Sequence, residues 1–135
     1  MVILFDRFNL SEDVFEVIFA TPQQKIVGKE LIKYIIDNKS EISKTEMSLF
    51  ATKLHDGQYE AVLEEAPYRG KKVKLSYNKR QFYDRILTPM KSMGLIDYDL
   101  YKKTYRISIK FYDSLLSIGL MWKKKLERLG YKIGA

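Results

Sequence analysis

The sequence predicts a mainly helical α+β fold with a small β-hairpin. Three patterns predict it. Helix-start signals recur along the chain, the strongest being Ser43-Lys-Thr-Glu46. Strand-like alternation flanks Asp99-Leu-Tyr-Lys-Lys103. A long amphipathic stretch closes the chain, from about Lys110 to Leu129. At 135 residues, 46% hydrophobic and 30% charged, the chain is expected to form one domain, 1–135, with a real core. Its expected parts are an N-terminal arm and helix (1–20), a core (21–109) and a C-terminal packing or dimerisation helix (110–135).

Each element has its own signal. Val2 to Phe5 is short, apolar and rich in β-branched residues, as in an edge strand or an arm on a partner. Asn9 or Ser11 then caps a short helix whose buried side is Val14, Phe15, Ile18 and Phe19. Thr21-Pro-Gln-Gln24 opens the next helix, with Thr21 as cap and Pro22 at the first helical position. That helix runs to about Asn38, with Val27, Leu31, Tyr34 and Ile35 inward and Lys25, Lys29 and Lys33 on another side. The Ser43 box opens a helix through Met47, Phe50, Ala51 and Leu54, ending at Asp56-Gly57. Ile42 before it staples onto Met47 or pairs briefly as a strand. Gln58 to Ala66 reads as one more short helix stopped by Pro67, followed by a basic loop with a strand at Val73 to Leu75.

Asn78-Lys-Arg-Gln81 opens a helix to about Met93. At 100° per residue, Phe82, Tyr83, Ile86, Leu87, Met90 and Met93 gather on one side. Arg80, Gln81, Asp84, Arg85, Thr88, Lys91 and Ser92 gather on the other. Pro89 removes one ladder bond and is expected to kink or split this helix. Gly94 caps it, and Leu95–Tyr98 with Thr104–Ile109 form the hairpin. In the closing helix Phe111, Leu115, Ile118, Trp122, Leu126 and Leu129 make the apolar stripe. Leu116 and Leu120 widen it beyond what one neighbour requires.

Charge is unevenly distributed. Residues 1–68 carry net −5, residues 69–106 carry +8 and residues 107–135 carry +4. A basic block of 38 residues is the footprint expected for a phosphate backbone or another anionic surface. With no cysteine, disulfides, thiolate metal sites and a cysteine nucleophile are excluded, and one histidine excludes a multi-histidine metal site. No cofactor or metal is therefore expected. The N-terminus does not read as a signal peptide, and the apolar run at Leu115–Trp122 is too short for a membrane span. A soluble cytoplasmic protein with no membrane partner is the expectation.

The segments Phe82-Tyr-Asp-Arg-Ile-Leu-Thr-Pro-Met-Lys-Ser-Met-Gly-Leu-Ile96 and Tyr105-Arg-Ile-Ser108, in the order helix, short strand, helix, helix, hairpin, helix, resemble the winged helix-turn-helix superfamily. There a recognition helix ends in Leu or Met, Gly and two aliphatics that enter the wing. The closing helix resembles the dimerisation helix of MarR-like regulators, and 76–108 is similar to the winged-helix domains of plasmid-type replication initiators. The resemblance implies a winged helix-turn-helix with an extra N-terminal element and a long C-terminal helix. One departure is that more than twenty residues separate Leu54 from Asn78. Either the helix at 58–66 is the first of the helix pair, or 55–77 is an insertion.

On that fold the helix 78–93 enters the major groove and the wing 97–106 lies on the backbone or minor groove of double-stranded DNA. Arg80 and Arg85 are candidates for bidentate contacts to guanine and Gln81 for one to adenine. Asp84 accepts from cytosine or orients Arg80. Lys79, Thr88 and Lys91 hold phosphates, as do the backbone N–H groups of Tyr77 and Asn78. Lys102, Lys103 and Arg106 grip from the wing. Tyr98, Tyr101 and Tyr105 stack on unpaired bases or, the better reading, pack as strand residues.

Nothing points to an enzyme. His55 sits at a helix end where interaction with the dipole is the ordinary role, and no phosphate-cradling glycine loop or Gly-x-Ser-x-Gly elbow occurs. Tyr83, an alternative nucleophile for strand cleavage, falls on the apolar side where a core role is the better reading. The expected function is sequence-specific duplex-DNA binding in transcriptional regulation, by a homodimer formed through the C-terminal helix. The alternatives are a winged-helix protein-interaction module, a replication or plasmid-maintenance DNA-binding factor, and attachment to a membrane surface through Trp122-Lys-Lys-Lys125.

Overall fold

The computed structural model describes residues 7–8, 11–63 and 69–134. The expectations for Val2–Phe5, for Asn9 and for Glu64–Ala66 fall outside them. The fold is mixed α+β. Helix α1 (Val14–Ile18) is capped by Asp13, whose carboxylate accepts from Phe15 N–H. Ser11, expected as a cap, instead accepts from Asp13 N–H at 3.0 Å. α2 (Pro22–Asp37) starts as predicted, with the Thr21 hydroxyl accepting from Gln24 N–H. Ion pairs Lys29–Asp13 (2.9 Å) and Lys25–Glu16 (3.1 Å) lay the acidic α1 along the basic side of α2.

β1 (Glu41–Ser43) leads into α3 (Lys44–His55) through a complete Ser43/Glu46 capping box. β2 (Tyr59–Leu63) and β3 (Lys71–Leu75) follow as a two-stranded antiparallel hairpin. Then come α4 (Lys79–Phe82), a π turn (Tyr83–Leu87) and α5 (Thr88–Ser92), one unbroken helical run. β4 (Ile96–Asp99) and β5 (Thr104–Ile107) form the second hairpin, and α6 (Lys110–Arg128) closes the chain. β1 adds to that hairpin in the order β1-β5-β4, all antiparallel.

Phe50 is the centre of the core. Its ring lies 5.0 Å from Tyr34, 5.0 Å from Tyr59 and 5.6 Å from Phe82, tying α2, α3, β2 and α4 together. Leu31, Ile35, Ile42, Met47, Leu54, Ile86, Met90 and Ile96 fill the space around it. Burial keeps the Tyr59 hydroxyl protonated well above its ordinary range, and it donates to Glu30, itself buried on α2. Two glycines are sterically required. A Cβ on Gly28 would stand 2.5 Å from the Phe19 ring, and Gly94 combines a φ of +85° with backbone of Phe111 2.9 Å from where its Cβ would be.

Three expectations are corrected. Residues 59–63 are strand, not helix. Ala61 and Leu63 are buried and Tyr59 half-buried, while Glu60 and Val62 face outward, a period of two that pairing with β3 enforces over the helix propensity of Glu, Ala and Leu. The helix at 78–93 carries a π turn ahead of Pro89. Thr88 N–H bonds back to the Tyr83 carbonyl, so the ladder shifts register before the residue that lacks a donor. The stripe of α6 is not a core face. Of its residues only Phe111 is buried, and Met93, assigned inward on its helix, is also exposed.

Candidate nucleic-acid interface

The polar side of the 79–92 helical run is open along its whole length. Arg80, Gln81, Asp84, Arg85, Thr88, Lys91 and Ser92 are all exposed, over a buried side of Phe82, Ile86, Leu87 and Met90. The Arg80 side chain is 91% exposed, with Asp84 4.0 Å from its Nε, the arrangement expected if Asp84 orients it. Lys79 differs from the others. Its ammonium is half-buried and donates to Thr52 (2.9 Å) and Ser48 (3.3 Å), so it docks α4 on α3. Lys91 reaches toward the hairpin, 5.9 Å from the rings of both Tyr98 and Tyr105. Thus α5 is braced against the hairpin's inner face.

The β2–β3 hairpin fills the long segment between α3 and α4, and its base is closed by the backbone. Tyr77 N–H donates to the Leu54 carbonyl at 2.9 Å, and Gln58 N–H to that of Lys53 at 2.8 Å. The chain therefore leaves α3 and returns beside the same residue, so the hairpin does not separate α3 from α4. Tyr77 is buried with its N–H used, and so offers none to a phosphate. Asn78 caps α4, its side chain accepting from Gln81 N–H. His55, which sequence reasoning assigned only to the helix dipole, has a specific task. Its Nδ1 accepts the N–H of Lys79 at 3.1 Å, fixing the start of α4 to the end of α3. Its partner lies 24 residues away in sequence, so nothing local signalled it.

The wing-like hairpin turns rigidly. The Asp99 carboxylate accepts from Tyr101 N–H (2.9 Å) and Lys102 N–H (3.1 Å), and the Asp99 carbonyl accepts from Lys103 N–H (2.7 Å). The Lys102 hydrogen bond, with that of Tyr101, holds the Asp99 carboxyl below its ordinary value. Lys103 adopts φ +55° and its carbonyl accepts from Lys44 N–H at 2.9 Å, seating the turn on the first residue of α3. Lys102, Lys103 and Arg106 are exposed. In the sheet, Arg106 lies between Glu41 of β1 and Asp97 of β4. Lys110 claims Asp97 at 2.9 Å, and that hydrogen bond is the main cause holding its carboxyl low. Thr104 donates to Glu41 at 2.7 Å. Tyr98 and Tyr105 pack against each other as cross-strand residues, ring centroids 4.7 Å apart and planes tilted by 49°.

α3 thus fixes both elements. Its last residue holds the start of α4 and its first holds the β4–β5 turn. Twelve residues of helix span about 18 Å.

Among the described residues no group of three or more His, Asp or Glu side chains is placed to hold a metal ion. No helix among them is long and apolar enough to cross a membrane. No protein-family model, curated protein or solved structure matches the chain.

Proposed function

We propose that the chain is a sequence-specific binder of double-stranded DNA with a winged helix-turn-helix architecture, acting in transcriptional regulation. The observation that carries this reading is the two-ended role of α3. It ties the start of an exposed Arg/Gln/Arg helix face to one end, and a basic turn to the other, of a helix about 18 Å long. That is close to half the duplex repeat of about 34 Å, the step from a major groove to the next minor groove. On this reading Arg80, Gln81 and Arg85 read base edges, Thr88 and Lys91 meet phosphates, and Lys102 and Lys103 hold the backbone beside the minor groove. The β2–β3 insertion leaves the helix pair intact, because its base closes on Leu54.

A homodimer through α6 belongs to the same reading. Leu115, Ile118 and Trp122 stand exposed on a helix that buries only Phe111 in its own chain. The occupant that fits is a second α6, antiparallel, crossing between Ile118 and Gly119. Leu115 would then face Trp122, and Asp113 would lie beside Lys124, whereas a parallel pair would set Lys123–Lys125 against their own copies. Gly119 stands at mid-helix with no atom within 4 Å of where its Cβ would be. In an isolated helix it costs about 1 kcal/mol relative to alanine; at a crossing it permits close approach.

Selection of bound duplexes from a random pool tests the reading. The expected product is a two-fold repeat of one half-site. Recovery of unselected sequence would remove the base-reading role of the 79–92 face. The same α6 surface favours a protein-interaction module as second reading, for which the pool would yield nothing even at low salt.

A further inference from the structure

The β4–β5 hairpin ends in an apolar pair. At its tip Tyr101 is 99% exposed and the adjacent Leu100 76% exposed. Single exposed apolar residues are ordinary. This pair is different because its backbone is held. Asp99 accepts three N–H groups across the turn, and the Lys103 carbonyl is bonded to Lys44 on α3. The side chains are therefore presented by a rigid turn. Around them stand the exposed cations Lys44, Lys102, Lys103 and Arg106. Of the acids on the same sheet face, Asp97 is paired with Lys110, while Glu41 and Asp99, bonded to Thr104 and to the turn amides, keep their charge and leave the cations in excess. An apolar point inside a cationic rim matches a minor groove, where base steps lie between two phosphate rows.

We propose, on the footing of the DNA reading above, that Leu100 and Tyr101 form a wedge that enters the minor groove, partly unstacks one base step and bends the duplex. The cations hold the flanking phosphates while the apolar pair takes up the opened step. Pyrimidine–purine steps, TA above all, open most easily. The wedge therefore adds sequence preference at a flanking position that no base-edge hydrogen bond reads.

The test uses the full chain and 30-base-pair duplexes carrying the selected core. 2-Aminopurine is walked through the flank beside the wing, and donor and acceptor dyes are placed at the ends. The wild type should raise 2-aminopurine emission at one flanking step and shorten the end-to-end distance. Tyr101→Ala should lose both responses and bind a TA-flanked duplex about ten-fold more weakly, as expected for losing one aromatic–base stack. Its melting temperature and salt slope should not change, because the side chain touches nothing in the fold. Lys103→Ala should do the reverse, lowering the salt slope and keeping the emission change. A wild type that binds without any emission change or bend overturns the wedge alone. So does Tyr101→Ala behaving as wild type, or losing only affinity for phosphatidylserine vesicles. A wild type that binds no duplex at low salt overturns the DNA reading and the wedge together.

Discussion

The body of the molecule and α6 use the same helical spacing of apolar residues to opposite ends. In α2 and α3 the stripe is buried: Val27, Leu31 and Ile35 on one, Met47, Phe50 and Leu54 on the other, all essentially sealed from water. In α6, Leu115, Ile118 and Trp122 stand at least half exposed. An amphipathic pattern thus states that a face will be covered, without naming what covers it. The topology decides. α2 and α3 pack against the hairpins and the 79–92 helical run, whereas beyond Phe111 α6 buries no residue against the body.

The comparison is broken most forcefully from the body. Phe50→Ala removes the ring shared by four elements and should cost about 3–5 kcal/mol, read as a large drop in the urea midpoint. Retained stability would mean that the body is not organised around that ring. Trp122→Glu should leave the urea midpoint of the monomer nearly unchanged while shifting the dimer equilibrium by about 2 kcal/mol or more, read by sedimentation against concentration. If it unfolds the chain instead, α6 packs on its own body and the contrast fails.

A finer probe lies where the two halves of the interface meet. His55→Ala should cost the body about 0.5–1.5 kcal/mol through the lost hydrogen bond to Lys79 N–H. It should also weaken duplex binding, because the start of α4 loses its tie to α3. Loss of stability with unchanged binding would place His55 outside the interface account. The smallest effect is one of pH. A carboxyl held below its ordinary value stabilises the turn at all pH values above the unfolded value of about 3.9, and that contribution disappears as pH falls through the lower folded value. The protection factor of the Tyr101 amide should therefore hold level down through the ordinary aspartate range and fall only at lower pH, and Asp99→Asn should remove the step.

Local chemistry explains what was legible in the sequence. Thr21, Ser43 and Asn78 accept from the backbone three residues on, so a four-residue window identifies them. The β4–β5 hairpin was legible because Ile96, Tyr98, Tyr105 and Ile107 alternate around a polar turn. Residues 59–63 were not, because Tyr59, Val62 and Leu63 fit helical spacing as well as Tyr59, Ala61 and Leu63 fit a strand. Only Lys71–Leu75, a separate strand, breaks the tie. The exposed helix face from Arg80 to Ser92 followed directly from periodicity. The inward turn of Lys79 did not, since Ser48 and Thr52 belong to another helix. The β4–β5 tip was legible as basic, but the separation of Tyr101 from Tyr98 and Tyr105 required the register of the strands.

On the proposed reading, the 79–92 face and the hairpin tip together hold a duplex through its phosphates. Titrating labelled duplex against the full chain over a series of salt concentrations measures this directly. The account predicts a straight, steep fall of log K with log[salt], with a slope of about −0.9 per phosphate held, and a shallower fall for Lys102→Ala with Lys103→Ala. A line with no slope would contradict it.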